Sequence, residues 1–412
     1  MTKVELKGNA EYAAQVIVVN HLTKFETLDN LVGVPVNGMT ALVSKDTKVG
    51  DVLLAIPAGA QLSEKFAREH NLLRDQGGYL EDNRRVKALR LRGVPSNILT
   101  LPAPEGVAVG TLFDTTDGET FCWKYEPPFK ATTSRSAQAQ AKVWKRVDTK
   151  FLPEHIDTSN WYRNEPLVPA DAIFMVSQKI HGTSIRIANT IVKVKPTWKT
   201  KVAKFFGIPV AETEYAFVAG SRKVIKDVSN PNQNHFYSED IWTREGKKYE
   251  GMIPRGFVVY GELVGWVGPG SPIQKNYTYA LPDGTCELFV YRVATITPDG
   301  VLTDLTWPAV KAFCHEKGFK HVPEMFTTAM KYEVLIVTEN IKDSTGLKFE
   351  NEARDLWVDA PIRLGADSPC DEGLVIRVDS ERSTMPEFYK AKSQQFLEHE
   401  SKLMDADVEV LS

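Results

Sequence analysis

The chain has 412 residues, with 50 Lys and Arg against 53 Asp and Glu, and is 42% hydrophobic and 25% charged, which sets an expectation of about two to three domains. That balance excludes a disordered chain, a collagen and a membrane bundle. A formal net charge of −3 excludes a globally basic coat for nucleic acid, so any polyanion site must be local. Cys122, Cys286, Cys314 and Cys370 stand far apart with no C-x-x-C pair, which argues against a disulfide framework or a zinc ribbon and for a reducing compartment. The opening MTKVELKGNAEYAAQ lacks a signal-peptide pattern, and no run approaches the ~18 apolar residues of a membrane span. The expectation is a cytoplasmic protein with no membrane contact.

From about Tyr12 to Leu62, short β-rich runs (AAQVIVVNHL, MTALVS, DVLLAIP) alternate with turns such as Lys45-Asp46-Thr47 and Val49-Gly50-Asp51, predicting a small barrel or sandwich. A polar, partly helical stretch follows. Arg84 to Gly93 then places five cations in ten residues interleaved with apolar ones, predicting a strand with one charged face. That face is either a solvated edge kept from aggregating by charge or a strip that contacts phosphate, and the sequence leaves both open. Pro127 to Lys150 is poor in large apolar residues and rich in Ala, Gln, Ser, Thr and Lys, which reads as an interdomain linker.

Beyond the linker, Ile173 to Ile191 and Tyr215 to Val224 are strand-like and flank a basic insertion, Lys193 to Glu214 (KVKPTWKTKVAKFFGIPVAETE). Phe257 to Val264, Cys286 to Ile296, Gly373 to Val378 and Glu387 to Ala391 supply further β-type runs. One helix is plain: Thr306 precedes Trp307-Pro308, Val310, Phe313 and Cys314 share a face, and Gly318 follows the last turn. The second domain is therefore α+β with mixed strands.

Chemistry enters at Lys179, which ends the apolar run Ala172-Ile173-Phe174-Met175-Val176-Ser177 and Gln178 and is followed by Ile180-His181-Gly182-Thr183-Ser184. A lysine at the mouth of a core loses solvation, which favours the neutral, nucleophilic amine, and Gly182 would let backbone approach a ligand closely. Taken alone, a lysine snorkelling from a strand end explains it as well. Downstream, Glu262 in VYGELVG is a carboxylate among apolar strand residues that needs a partner such as a ribose hydroxyl or a cation. Tyr291 in LFVYRV is either a purine-stacking aromatic or core. Asp371-Glu372 leads a carboxylate pair into an apolar strand, suited to a hard divalent cation. Lys390 and Lys392 are two apart, so both share one face of a strand, which is unfavourable unless anions sit there.

The order of these islands resembles the covalent nucleotidyltransferase superfamily of polynucleotide ligases and mRNA capping enzymes. Lys179-Ile180-His181-Gly182 is similar to the K-x-[D/N/H]-G nucleophile motif, Gly220-Ser221-Arg222 to the arginine motif, and Gly261-Glu262-Leu263 to the third motif. Phe289-Val290-Tyr291 resembles the adenine-stacking motif, Glu372-Gly373-Leu374-Val375-Ile376 the fourth and Lys390-Ala391-Lys392-Ser393 the fifth. His181 in place of Asp or Asn, together with Ile273-Gln274-Lys275, resembles RNA ligases of the double-strand-sealing type. A small β domain placed first, with a KVGD turn and Arg90 to Ser96, resembles the Deinococcus and Naegleria type of RNA ligase.

The resemblance implies an α+β chain in which an N-terminal small, OB-like β-barrel (1–126) and a linker (127–150) precede an ATP-grasp-like nucleotidyltransferase domain of mixed antiparallel sheets with helices (151–412). It implies ATP and Mg²⁺ or Mn²⁺ as cofactors, Lys179 as nucleophile, Lys390 and Lys392 as charge stabilisers, and Glu372 in the metal shell. It further implies that Glu262 bonds the ribose, Tyr291 stacks on adenine and Arg222 holds ribose or 5′-phosphate. Gln178, Ile180, His181 and Gly182 are assigned to the nucleotide site, His181 as an organiser of metal water or backbone. Arg186 is either a phosphate contact or a surface arginine, Arg163 is a weaker candidate, and the other histidines are assigned to structure or surface. The substrate implied is a nicked duplex with RNA at the 3′-OH side, with no obligate protein partner. Arg84 to Arg92, Lys142, Lys145, Arg146 and Lys193 to Lys204 are the cations on hand for a basic groove. A DNA ligase or capping-type guanylyltransferase, and a silent RNA-binding protein that keeps the fold, are the competing readings.

Overall fold

The structure, a computed structural model, describes residues 3–127, 145–226, 236–342, 344–351, 354–381 and 383–405. Lys142 and most of the expected linker lie outside the described residues. The architecture is α+β, as the pattern of runs predicts. The N-terminal part builds a six-stranded sheet from β1 (Ala14–Val18), β2 (Leu31–Val36), β3 (Met39–Ser44), β4 (Val52–Pro57), β5 (Ile98–Pro102) and β6 (Leu112–Phe113). Its order is β6-β1-β4-β5-β3-β2, and no ladder among the described residues joins β2 to β6. A closed barrel is therefore not what the ladder forms. Alternation does the folding here: Val32, Val34, Val36, Ala41 and Val43 make one side of the apolar interior, with Ala55 and Ile98 completing it.

The second part holds two sheets. One contains β7 (Ser159–Asn160), β8 (Ile173–Lys179), β14 (Glu324–Thr328), β15 (Gly373–Asp379) and β16 (Glu387–Lys392), in the order β7-β16-β15-β8-β14. The other runs β10-β9-β11-β12-β13, from β9 (Thr183–Lys193), β10 (Thr213–Ser221), β11 (Phe257–Gly268), β12 (Cys286–Ile296) and β13 (Leu302–Asp304). The chain passes from the first sheet to the second at Ile180, His181 and Gly182, so Lys179 stands at the seam. The largest apolar cluster lies between these layers, with Ile185, Ile187, Val259, Leu263, Leu288, Val290 and Val293 packed against Trp307, Val310 and Phe313.

Four helices matter for the site. Helix α1 (Trp198–Phe205) sits in the β9–β10 insertion, started by a capping box between Thr197 and Thr200. Helix α2 (Trp307–Lys317) is the one predicted: Pro308 occupies its first turn and Gly318 caps it at φ 74°. Thr306 takes the extended conformation of a cap but makes no capping bond. Helix α3 (Lys331–Lys342) covers the first sheet through Val334 and Ile341. Helix α4 (Gln394–Asp405) follows β16 at once, and the Ser393 hydroxyl accepts from the Phe396 amide at 3.2 Å.

The basic segment Arg84 to Arg92 is not a strand with one charged face. Arg84 has φ 55°, Leu89–Leu91 is a three-residue strand, and Arg92-Gly93 make its hairpin turn at φ 45° and 88°. Two positive-φ residues in a two-residue loop suit the right-handed twist of a hairpin. Three of the five cations, Arg85, Lys87 and Arg90, hold α4, while Arg84 bonds the Leu62 and Asp82 carbonyls and Arg92 pairs with Asp29 at the surface. Arg85, only 2% exposed, donates to the Ser401 carbonyl at 2.7 Å and to Asp405 at 2.8 Å. Lys87 also meets Asp405 at 2.8 Å, and Arg90 meets Glu398 at 3.1 Å. Asn97 donates to Gln394 at 2.6 Å. Interleaved charge and apolar residues here mark a docking strip for a helix whose acids lie some 300 positions later in the chain.

Candidate active site

A pocket opens between the two sheets of the second part. Its walls include Lys179, Ser184, Glu262, Tyr291, Arg222, Lys390 and Lys392, six of which were predicted from sequence. Lys179 ends the strand that reaches it, and Gln178, Ile180 and His181 line it as well. The Gln178 amide is committed to structure: it donates to Ile362 O at 3.1 Å and Asp371 at 2.8 Å, and accepts from the Ile362 amide at 2.7 Å. It braces the nucleophile strand.

Gly182 departs from expectation in an instructive way. A Cβ there would lie 2.1 Å from the Leu263 carbonyl oxygen, so the close approach is to β11 and not to a ligand. Its amide donates to Glu262 at 3.2 Å, and its carbonyl accepts from Gln274 at 2.8 Å. Thus Gln274, within Ile273-Gln274-Lys275, pins the turn after Lys179. His181 is 2% exposed, its amide donates to the Tyr279 hydroxyl at 2.5 Å, and its ring stands edge-on to Tyr277 and Phe396. Ile180 is core, 6% exposed.

Glu372 lies behind the lysines, fully buried. Its Oε1 is 2.8 Å from Lys179 Nζ and 3.2 Å from Lys392 Nζ, and its Oε2 is 3.6 Å from His181 Nδ1. Burial opposes its ionisation, yet Lys179, Lys392 and His181 outweigh that and hold the carboxyl well below the usual range. None of these contacts has hydrogen-bond alignment, so both carboxylate oxygens are buried without a donor. Gly373, at φ 139°, is required beside it, since a Cβ would meet the Ala391 carbonyl at 2.1 Å. Glu262 lines the pocket itself, accepting from the Gly182 amide and from Ser184 at 3.1 Å. Burial is the main force on it, Glu372 adds repulsion, and its pKa is pushed up to about 7.

The two motif lysines have different fates. Lys392 bonds both oxygens of Glu400 on α4, at 3.0 and 3.2 Å. These acids overcome burial and keep it charged, with its pKa raised. Lys390 makes no ion pair among the described residues. Burial, then Lys392, Lys179 and Lys124, depress its pKa to about 7. It faces both this pocket and a second cleft against the N-terminal part, which Tyr12, Arg85, Asn97 and Glu400 help to line. An anion in the shared space would remove the penalty.

Of the three predicted arginines, two lie off the pocket. Arg186 is neither a phosphate contact nor a surface residue: it is 1% exposed, lies off the pocket wall and donates to the Leu152 carbonyl at 2.8 Å. Arg163 donates to the Glu11 carbonyl at 2.9 Å and so ties the two parts of the chain. Arg222 does line the pocket, paired with Asp157 at 2.5 Å.

Sequence reasoning missed His155, Lys124, Arg292 and Glu400. His155 was assigned to structure or surface, but it lines the pocket, and its ring nitrogen bonds the Tyr291 hydroxyl. Burial, then Arg186, Arg222 and Arg292, hold it neutral, its pKa well below the usual value. Arg292, on the pocket wall beside Tyr291, is pinned by Asp304 at 2.5 and 3.0 Å. A cation inside the apolar run LFVYRVATI was the one available signal for it. Among the described residues no cluster of three His, Cys, Asp or Glu side chains is arranged as a metal cage, and no helix is long and apolar enough to cross a membrane.

Fold and pocket together define a two-sheet α+β protein built around a lysine at a sheet seam, with carboxylates and cations arranged for an anionic ligand. The RNA ligase family pattern matches residues 172–392, more than half the chain, and the chain belongs to the RNA ligase family. No curated protein sequence matches it significantly. Among solved structures it is similar to a Naegleria gruberi RNA ligase mutant with AMP and Mn (TM-score 0.58, 16% identity, 94% of this chain and 98% of that one). The same protein with pyrophosphate aligns with TM-score 0.58 and 15% identity over 94% and 98% of the two chains. Another mutant, with ATP and Mn, aligns with TM-score 0.57 and 16% identity over the same shares. At such identity the likeness is one of fold.

Proposed function

We propose that this chain is an ATP-dependent RNA ligase that seals 3′-OH/5′-phosphate ends, at nicks in duplexes, through a lysyl-AMP intermediate. The observation that carries this reading is convergence: Lys179, Glu262, Tyr291, Lys390 and Lys392, scattered from residue 179 to residue 392, line one pocket. Lys179 Nζ attacks the α-phosphorus of ATP, the bond to the bridging oxygen breaks, and pyrophosphate leaves with that oxygen. AMP then passes to the 5′-phosphate of the donor strand, and the 3′-OH displaces it to form the phosphodiester. These are in-line displacements, helped by orientation and by neutralising phosphoryl oxygens. Lys392 supplies fixed positive charge for those oxygens, and Lys390 supplies a charge that a bound phosphate stabilises. Tyr291, held at its hydroxyl by His155, offers its ring to the adenine. Glu262, with its high pKa and hydroxyl-type partners, suits a ribose hydroxyl, and Arg222 faces the same space.

A divalent cation fits the donor chemistry at Glu372, whose two oxygens are buried without a hydrogen bond. With so few protein ligands it would keep most of its waters, as Mg²⁺ commonly does. When bound, it would add charge neutralisation at the phosphates. The solved structure of a Naegleria gruberi RNA ligase mutant with ATP and Mn supports the same pairing here. The division into 1–126, 127–150 and 151–412, with an OB-like first domain, belongs to this reading.

The deciding experiment incubates the full chain with α-labelled ATP or GTP and a divalent cation, then resolves it under denaturing conditions. An acid-labile label from ATP, lost in Lys179→Ala, is the expected result. Label from GTP alone would indicate capping chemistry, and a Lys179→Ala chain that still labels would overturn the nucleophile assignment.

A further inference from the structure

We propose that the β9–β10 insertion is a second RNA-contacting surface, a platform of aromatic rings for unpaired bases with lysines beside it for the phosphates. The proposal rests on the ligase reading above. Helix α1 is a formed helix with its own capping box, yet it buries none of its residues. An eight-residue helix is marginal on its own, so a fold that builds one and leaves its apolar stripe bare keeps that stripe for a ligand. The stripe is aromatic: Trp198 is 72% exposed, Phe205 85% and Phe206 70%, with Val202 and Ile208 beside them. At 100° per residue, Trp198, Val202, Phe205 and Phe206 fall on one side of the helix. The rings of Phe205 and Phe206 stand edge to face at 5.4 Å.

Charge surrounds that stripe. Lysines 193, 195, 199, 201 and 204 face only Glu212 and Glu214 within the insertion. Glu212 pairs with Lys204, and Glu214 lies 3.6 Å from Arg146. A shallow hollow is lined by Lys193, Lys195, Lys204 and Thr200, with Glu212 the one acid among its lining residues. Rings for bases and ammonium groups for the backbone are the two components that bind single-stranded nucleic acid without sequence preference.

Placement favours RNA over other polyanions. Strands β9 and β10 pair without interruption from Ile185 with Ser221 to Lys193 with Thr213. At ~3.3 Å per residue this puts the insertion roughly 30 Å from the pocket, along a rigid ladder whose near end carries Ser184 and Arg222. Only an extended polymer reaches both places. An anionic membrane would answer the same charge, but it gains nothing from a fixed distance to the pocket.

The test compares wild type with Trp198→Ala/Phe205→Ala/Phe206→Ala and, separately, with Lys195→Ala/Lys199→Ala/Lys201→Ala. Affinity is measured for oligouridylate and for a nicked RNA duplex with and without a single-stranded tail, at several salt concentrations. The aromatic variant should bind oligouridylate and the tailed nick about tenfold or more weakly and the untailed nick unchanged. The lysine variant should reduce the slope of log K on log salt by about 2. All these side chains lie outside the pocket, so labelling by ATP should persist in both variants. Failure of wild type to label would count against the ligase reading and leave the RNA measurement standing. Unchanged affinity for tailed RNA in the aromatic variant would overturn the proposal. So would aromatic-dependent sedimentation with phosphatidylserine vesicles, or aromatic-dependent dimerisation, with RNA affinity unaltered.

Discussion

The two carboxylates of the pocket sit on different sheets and have been given opposite electrical characters. Glu262, on β11, opens toward the pocket but meets a hydroxyl and an amide, and burial drives its pKa up to about 7. Glu372, at the head of β15, is deeper, but two lysines and a histidine surround it, and its pKa is held well below the usual range. Depth alone does not decide the charge of a group; the nearest polar neighbours do. The pocket wall thus offers a carboxyl suited to hydroxyl partners, with a fixed anion between cations behind it.

The contrast breaks most severely at Glu372. Glu372→Gln should lower the rate of adduct formation about 100-fold or more, read from the initial rate of labelling. It should also destabilise the fold by on the order of 3 kcal/mol in urea, because buried cations lose their partner. A rate within threefold of wild type would remove Glu372 from the chemistry. Next comes Lys390, which makes no ion pair among the described residues. Its folded pKa of about 7 lies below the ordinary value of 10.5, so the free protein sheds this proton as pH passes 7 and a bound triphosphate must restore it. ATP affinity should therefore weaken by up to about tenfold per unit between pH 7 and 9, and calorimetry on Lys390→Ala should find that dependence flattened.

Glu262 sharpens the contrast through stability. Its folded pKa of about 7 exceeds the ordinary 4.5, so the folded state binds the proton more tightly than the unfolded one. Its contribution is then fullest below about pH 4.5 and is lost as pH rises through 7, by at most about 3 kcal/mol. Glu262→Gln should remove that slope from urea midpoints taken across pH 5 to 8, and an identical slope in the variant would refute the assignment. The smallest effect belongs to the helix dock. Arg85→Ala should cost about 1–2 kcal/mol, with labelling reduced less than threefold. A larger loss of labelling would mean that α4 controls Lys392 directly.

Much of the site was legible because its residue types are costly where they stand: Lys179 at a strand end, Glu262 in an apolar strand, Lys390 and Lys392 on one face. The strands were legible for the same reason the helix over 307–317 was, since apolar periodicity and terminal residues agree. Partnerships across the chain were not legible. Glu400 with Lys392 needs the turn between β16 and α4 to be known, and His155 with Tyr291 joins a loop to a strand 136 positions later, so neither shows a local signal. The strip at Arg84 to Arg92 announced charge but not its target, and Gly182 announced a close approach but not the strand approached. The N-terminal alternation gave strands correctly, while the open order of their ladder depends on pairings that alternation does not encode.

The docking of α4 also bears on when the site exists during synthesis. Arg85 and Asp405 are 320 positions apart, a separation that a ribosome takes on the order of half a minute to cross. Until residues 394–405 emerge, Lys392 lacks Glu400, and two lysines share the one carboxylate of Glu372. A nascent chain therefore carries its nucleophile long before its charges balance. Ribosome-bound chains stalled before Gln394 emerges should take up no label from ATP, and labelled nascent chains would show that the pocket assembles without its last helix.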